Sequence, residues 1–463
     1  MPVGERLKHL VVVLPGILGS ELADANGRTV WGPSLWSIVR NAGMNPSVLS
    51  LEENPLLTPV ALLSTITVVP PVLRVPGYDV LIDNIKRTFA DVQVDTARPG
   101  WEPRTGTDVL LVPYDFRTGI VSAAEYVHDR VAEQLAVQSD RKVIVVGHSM
   151  GGLVARYWLG CLDSSPSCEV LITLGTPHGG APKALDVLAN GFQLKGKRFR
   201  GLTDIARGWP SVFDLLPRYP AVAVSGGDKQ YPYELDALAK LELTDNARRA
   251  YDVHRDIDSG WANLGGQLPM RAVFSRGHPT LRRADGSLGG VTVSTEAAEW
   301  LPNPVWAGDG TVPADCAIPN ELNERRDWVP TSERHLPLAS APIVTGLLRD
   351  YAGNTTSAMR GPEDVHAPDW GIDLEEIYPA GNPITVEVNL PEIAGDTTVW
   401  GRVLSPSGSG APIAPVKGHR TGDRWSIELP ELAAGTYSIR VDAVNVPGRN
   451  DLRCEDVVGV VAL

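Results

Sequence analysis

Cysteine is scarce, with four in 463 residues, and so few cannot staple a fold of this length, which excludes a disulfide scaffold. Positive charge is also in deficit. Lys plus Arg number 42 against 55 Asp plus Glu, for a net charge of −13. That balance argues against a general nucleic-acid binder, whose affinity comes from cations meeting phosphates. Long apolar runs are missing too. The longest uncharged stretch, Asn54 to Leu73, is broken by Pro55, Pro59, Pro70 and Pro71 and does not read as a membrane-spanning helix. Near the N-terminus only Leu10–Leu14 is continuously apolar before Pro15-Gly16. This is too short for the core of a secretory leader and reads as a buried strand. The resulting expectation is a cytoplasmic protein with free thiols, Cys161 and Cys168 included, the alternative for these two being a bridge in an oxidising compartment.

Hydrophobic residues make up 43% of the chain and charged residues 21%, enough to bury a sizeable core and unlike a disordered chain. Gly 46 and Pro 38 imply many loops. Up to residue 352, short β-branched runs alternate with helical stretches, the pattern of an α/β domain with a mainly parallel sheet. Strands are expected at Leu10–Leu14, Asp108–Val112, Lys142–Val146, Val170–Leu174 and Arg271–Phe274. Helices are expected at Val80–Phe89, Ser122–Gln138, Leu153–Leu159 and Ala341–Tyr351. Two stretches without clean periodicity, about 23–75 and 182–269, interrupt this rhythm and are read as cap or lid insertions. Residues 353–381 read as a linker. From 382 to 463, period-2 runs such as Ile384–Leu390, Thr398–Leu404 and Trp425–Leu429 predict a small all-β sandwich.

The sharpest local signal is Gly147-His148-Ser149-Met150-Gly151, preceded by a β-branched run and followed by a helical one. In a Gly-x-Ser-x-Gly motif set between strand and helix, the serine occupies a strained turn that projects its hydroxyl. Side chains at Gly147 or Gly151 would collide with the neighbouring strand or helix. A serine hydroxyl is a poor nucleophile at neutral pH and needs a histidine base, itself oriented by a carboxylate. On a sheet of this kind the chain order is serine, acid, histidine. Asp309, in Gly308-Asp309-Gly310, and His335, in Arg334-His335-Leu336-Pro337, satisfy it. His178, His254 and His278 precede Asp309 in the chain and are disfavoured as the base. Acyl transfer further requires two backbone N–H donors for the oxyanion. Met150, directly after the nucleophile, supplies one. Ile17, in the glycine-bearing loop after the first strand, is the candidate for the other.

These stretches, with Arg74-Val-Pro-Gly77, Pro113-Tyr-Asp-Phe-Arg117, Leu174-Gly-Thr-Pro-His-Gly-Gly180, Pro210-Ser-Val-Phe-Asp-Leu-Leu-Pro217 and Gly308-Asp-Gly-Thr-Val-Pro313, resemble the lecithin:cholesterol acyltransferase family. The likeness spans roughly residues 8–352. It implies an α/β-hydrolase fold with a cap, a triad of Ser149, Asp309 and His335, and oxyanion donors at Ile17 and Met150. It also implies transfer of a fatty acyl group from a lipid ester, presented at a membrane surface, to an alcohol or water through an acyl-serine. Neither a metal nor an organic cofactor is required. The chain departs from secreted members in having no cysteine between Leu22 and Val75, hence no disulfide-closed lid, and the C-terminal sandwich lies outside the likeness. Two other readings compete with this one, an esterase for small soluble esters and a non-catalytic protein that uses the same fold as a scaffold. Tyr114-Asp115-Phe116-Arg117 is expected to brace loops, and Trp31 and Trp36 either contact lipid chains or pack within the cap.

Overall fold

The computed structural model describes residues 5–32, 46–64, 66–67, 74–75, 77–163, 167–194, 197–198, 200–224, 227–287, 290–322, 327–352, 370–375, 377–390, 396–404, 413–422, 424–447 and 451–461. Seven strands build the main sheet: β1 (Leu10–Leu14), β2 (Val94–Thr96), β3 (Val109–Leu111), β4 (Val143–His148), β5 (Cys168–Leu174), β6 (Met270–Ser275) and β7 (Trp328–Thr331). Their order is β7-β6-β5-β4-β1-β3-β2, and every neighbouring pair is parallel. The chain therefore starts in the middle of the sheet and winds outward to both edges. All five residues of β1 are buried, as expected of a strand covered on both faces. Leu10, Val12 and Leu14 face one core, and Val11 and Val13 face the other.

Helices cover both faces. α2 (Ile120–Val137) and α3 (Met150–Tyr157) pack Ala123, Val127, Val131, Leu153 and Val154 against the first core. On the opposite side, α1 (Tyr78–Thr88) and α5 (Pro342–Ala352) contribute Leu81, Ile85, Val344 and Leu348. The expected strands and helices recur within a few residues of their expected limits. Two edge strands carry no readable signal, because β2 and β7 are short and only half-buried and so need no apolar run.

At the first insertion, Thr29–Trp31 and Thr58–Leu62 pair with Ser20–Ala23, which leads into it, in a three-stranded antiparallel sheet. Trp36 and most of 65–76 lie outside the described residues. The second insertion, between β5 and β6, is largely helical, and its longest helix is α4 (Thr244–Asn263).

The C-terminal part has two sheets. β8 (Gly371–Asp373), β10 (Ile384–Asn389) and β12 (Arg424–Leu429) belong to one, and β9 (Ile377–Pro379), β11 (Thr398–Leu404), β13 (Gly435–Val444) and β14 (Leu452–Val461) belong to the other. Alternating residues such as Val386, Val388, Ile427, Ile439, Val441 and Val458 fill the space between them. The stretch expected to be linker, 353–381, carries β8 and β9 within this fold, and its residues 353–369 lie outside the described ones. A three-residue strand such as Gly371-Ile372-Asp373 has no periodicity to read. It is anchored instead by the burial of Trp370, Ile372 and Leu374.

Candidate active site

β4 ends at His148 and α3 begins at Met150, so Ser149 makes the whole turn between them. Its φ of +52° is costly for a residue with a side chain. The packing around it leaves no room to relax. A Cβ on Gly147 would stand 2.7 Å from the Gly152 Cα, and one on Gly151 would stand 2.5 Å from the Pro15 carbonyl oxygen. The Ser149 N–H is spent on the Leu174 carbonyl of β5 at 2.8 Å. The hydroxyl therefore points out of a turn that has one conformation.

His335 Nε2 lies 3.0 Å from Ser149 Oγ, and its Nδ1 lies 2.7 Å from Asp309 Oδ2. Asp309 is buried; its other oxygen accepts from the N–H groups of Thr311 at 2.9 Å and Val312 at 2.7 Å. Burial raises the pKa of this carboxyl, but the His335 charge and hydrogen bond and these backbone donors outweigh it and hold it below the ordinary value. An ionised Asp309 can only accept, so His335 Nδ1 carries the proton and the Nε2 lone pair faces the serine hydroxyl. The His335 N–H also bonds the Asp309 carbonyl at 2.9 Å, which ties the two loops together.

Met150 N–H opens α3 and so has no intrahelical acceptor. Among the described residues neither it nor Ile17 N–H has a hydrogen-bond partner. The loop carrying Ile17 passes close over the nucleophile, since a Cβ on Gly16 would come 2.8 Å from the Ser149 Cβ. Three side chains pin that loop. Tyr114 Oη donates to the Pro15 carbonyl, Tyr78 Oη accepts the Gly16 N–H at 2.8 Å, and Trp31 Nε1 donates to the Leu18 carbonyl at 2.8 Å. Leu18 itself has φ +64°, a strained value held by these contacts.

Sequence reasoning missed Tyr78 and His148 as partners. His148 Nε2 lies 3.0 Å from the His335 carbonyl, which can only accept, so Nε2 carries the proton. Its Nδ1 then accepts the hydroxyl proton of Tyr78 at 2.8 Å. Burial, and next the charge of His335, push the His148 pKa down to about 3, which keeps the ring neutral. The chain Gly16 N–H, Tyr78 Oη, His148, His335 carbonyl thus links the oxyanion loop to the base. The motif position of His148 carries no signal of this, and nothing local marks Tyr78, which follows Arg74-Val-Pro-Gly77.

The other candidate histidines are committed elsewhere. His178 accepts from buried Arg156 at 3.2 Å, His254 bonds the Asp214 carbonyl at 2.7 Å, and His278 bonds the Ser332 carbonyl at 2.8 Å. Arg117 is fully buried, pairs with Asp115 at 2.6 Å and donates to the carbonyls of Leu49, Ser50 and Asn54, the bracing expected of that stretch. Trp31 packs edge-on against Phe116 and is buried, which makes it an internal brace. Cys161 and Cys168 are separate thiols.

A parallel sheet with a serine elbow after its central strand, and an acid and a histidine on later loops, defines an α/β-hydrolase fold. A chain from the Tle4–Tli4 complex shares that fold, with a TM-score of 0.50 and 14% identity over 74% of this chain and 98% of that one. Residues 83–235 match the family model of lecithin:cholesterol acyltransferase. The Gallus gallus phosphatidylcholine-sterol acyltransferase is 35% identical over 88 residues, 18% of this chain and 21% of that protein. GPI inositol-deacylase A of Yarrowia lipolytica is 40% identical over 130 residues, 26% of this chain and 11% of that protein. The chain thus spans about a fifth or less of the length of these two relatives.

Proposed function

We propose that this chain is a serine-dependent enzyme that moves the acyl group of a lipid ester to an alcohol or to water. The observation that carries this reading is the continuous hydrogen-bonded series from Ser149 Oγ through His335 to Asp309. Its support from relatives is that one matched protein is named a phosphatidylcholine-sterol acyltransferase and the other a GPI inositol-deacylase.

In this reading Ser149 Oγ attacks the ester carbonyl carbon as its proton passes to His335 Nε2. The new oxyanion is met by the N–H groups of Ile17 and Met150. The ester C–O bond then breaks, the alcohol leaves with the proton from His335, and an acyl-serine remains. An incoming alcohol or water gives its proton to His335 and attacks the acyl carbon, which releases product and restores Ser149. Asp309 keeps its negative charge throughout and steadies the imidazolium. A cytoplasmic setting at a membrane surface is part of the same proposal and rests on the separate thiols; fractionation of cells expressing the chain tests it.

The deciding experiment is labelling with a serine-reactive alkyl phosphonate. The wild type is expected to be modified at Ser149, with Ser149→Ala unlabelled; equal labelling of both rejects the reading. A ladder of esters from acetyl to palmitoyl is expected to show a preference for long chains, and a maximum at acetyl would favour an esterase for small esters instead. Product analysis with and without added alcohol separates transfer from hydrolysis.

A further inference from the structure

Arg334 precedes His335, yet its side chain turns away from the sheet toward the C-terminal sandwich. It is 6% exposed, and each guanidinium nitrogen engages residues beyond 370. One terminal nitrogen donates to the Ile372 carbonyl at 2.9 Å and the other to the Leu374 carbonyl at 2.8 Å. Nε pairs with the Asp456 carboxylate of β14. The same guanidinium lies beside Gly310 of the acid loop. Gly310 has φ +96°, and a Cβ there would stand 3.0 Å from an Arg334 terminal nitrogen. A single buried cation thus touches the loop of Asp309, flanks His335 and is anchored by two backbone carbonyls and a carboxylate of the sandwich.

His278 makes a second attachment. Its Nε2 lies 2.8 Å from the Ser332 carbonyl, so Nε2 carries the proton, and its Nδ1 accepts the Ile372 N–H at 3.2 Å. Its backbone exchanges hydrogen bonds with Gly308, at 3.0 and 3.1 Å, next to Asp309. Where β8 crosses this loop the fit is backbone on backbone. A Cβ on Gly371 would come 2.1 Å from the Gly277 carbonyl oxygen and 2.7 Å from the His278 nitrogen.

We infer that the C-terminal sandwich is part of the framework of the active site: through Arg334 and the β8 contact it sets the positions of the loops that carry Asp309 and His335. Arg334 is then a positioning residue that acts through its neighbours. The inference deepens the triad reading and rests on it. Charge-assisted bonds to a buried guanidinium are strong and directional, and they add to the local bonds that tie the two loops to each other, such as the His335 N–H to the Asp309 carbonyl. Small displacements of a catalytic group cost much rate, about 100-fold for a misplacement near 1 Å.

The test uses the full chain with Arg334→Ala, Arg334→Lys and Gly371→Ala. The last alters no side chain of the hydrolase part; it wedges β8 away from Gly277. Phosphonylation rate at Ser149, kcat and KM on a chromogenic ester, thermal midpoint and deuterium exchange of peptides spanning 305–313 and 330–338 are measured together. Arg334→Ala is expected to lower kcat and the phosphonylation rate about 100-fold, with KM little changed and faster exchange in both peptides. Added guanidinium should restore roughly a tenth or more of the lost rate, at concentrations that leave the thermal midpoint unchanged. Arg334→Lys should fall between, and Gly371→Ala should reproduce the direction of Arg334→Ala. If Arg334→Ala does not fold, Gly371→Ala and Arg334→Lys decide. Folded variants with wild-type phosphonylation and exchange overturn the inference, as does a rate loss that only tracks the unfolded fraction. If wild type is not labelled at Ser149 but exchange in the two peptides rises in the variants, the triad reading fails while the docking of the loops stands.

Discussion

The nucleophile half and the acid–base half of this site are built by different means. Ser149 is fixed by crowding inside the sheet that bears it. Gly147, Gly151 and Gly152 let α3 and the Pro15 loop approach until no side chain fits, a Cβ on Gly152 standing only 2.0 Å from the Thr176 hydroxyl. Asp309 and His335 sit on loops after β6 and β7, where crowding also acts, a Cβ on Gly175 standing 2.7 Å from Asp309 Oδ2 and one on Gly308 2.3 Å from the Val312 carbonyl oxygen, but where polar contacts do more of the fixing. Beyond their local bonds, further supports come from a distance, through Arg334, His278 and the sandwich strands. Steric exclusion fixes the elbow within its own sheet, whereas long-range polar contacts make the other loops depend in part on a second part of the chain. A site divided this way can lose its base geometry while keeping its elbow.

The largest break in that division should come from the chemistry shared by both halves. Asp309→Asn preserves shape but removes the charge and the obligate acceptor at Oδ2, so His335 can take the wrong tautomer. We expect kcat for ester turnover to fall about 10,000-fold, with Ser149 still in place; retention of a tenth of the activity would show that His335 is oriented by something other than Asp309.

A smaller effect tests the nucleophile side. Tyr78→Phe removes the hydroxyl that joins the Gly16 N–H to His148 and leaves a buried N–H and a ring nitrogen without partners. A loss of about 1–3 kcal/mol in stability is expected, read by denaturant unfolding. Turnover should drop roughly tenfold through a looser Ile17 donor, less than one preorganised oxyanion bond is worth. Unchanged turnover at reduced stability would confine Tyr78 to a structural part.

The two halves also differ in how far the sequence disclosed them. The elbow is contiguous, and its glycines are demanded by local geometry, so Gly147, Ser149 and Gly151 could be read directly. Asp309 and His335 were reachable through chain order and residue type, and the central strands through their β-branched runs. The attachment of Arg334 to Ile372 and Leu374 was not, because backbone carbonyls accept from a guanidinium whatever residues bear them. β8 escaped notice for a related reason: its role lies in the lack of a side chain at Gly371 and in three residues of backbone. The edge strands β2 and β7 left no trace because partial exposure removes the need for an apolar pattern.

Acid should weaken both halves, and the size of the effect divides between them. His148 on the elbow side has its pKa lowered to about 3, first by burial and then by the charge of His335, and His278 on the docking side has its pKa lowered to about 4, first by burial and then by the charge of Arg334. The ordinary value is 6.5. As pH falls below 6.5 the unfolded chain takes up a proton at each position while the folded chain does not, so stability drops with falling pH down to the folded values. His254, lowered to about 4 mainly by burial, adds a share of the same sign. Buried Asp214, raised to about 7 from 3.8, acts oppositely. It holds a proton in the fold that the unfolded chain releases, so its contribution is present at low pH and is lost as pH rises from 3.8 toward 7. His178, held well below the ordinary value by burial first, joins the other three histidines, and these four set the sign against Asp214, a net loss on acidification of about 1 kcal/mol per pH unit for each uncompensated group. Thermal or urea unfolding between pH 6.5 and 4.5 should therefore show a falling midpoint, and His278→Gln should flatten that slope by roughly one proton's worth. A slope unchanged by His278→Gln would mean that His278 is already protonated in the fold, which is incompatible with its Nδ1 accepting the Ile372 N–H.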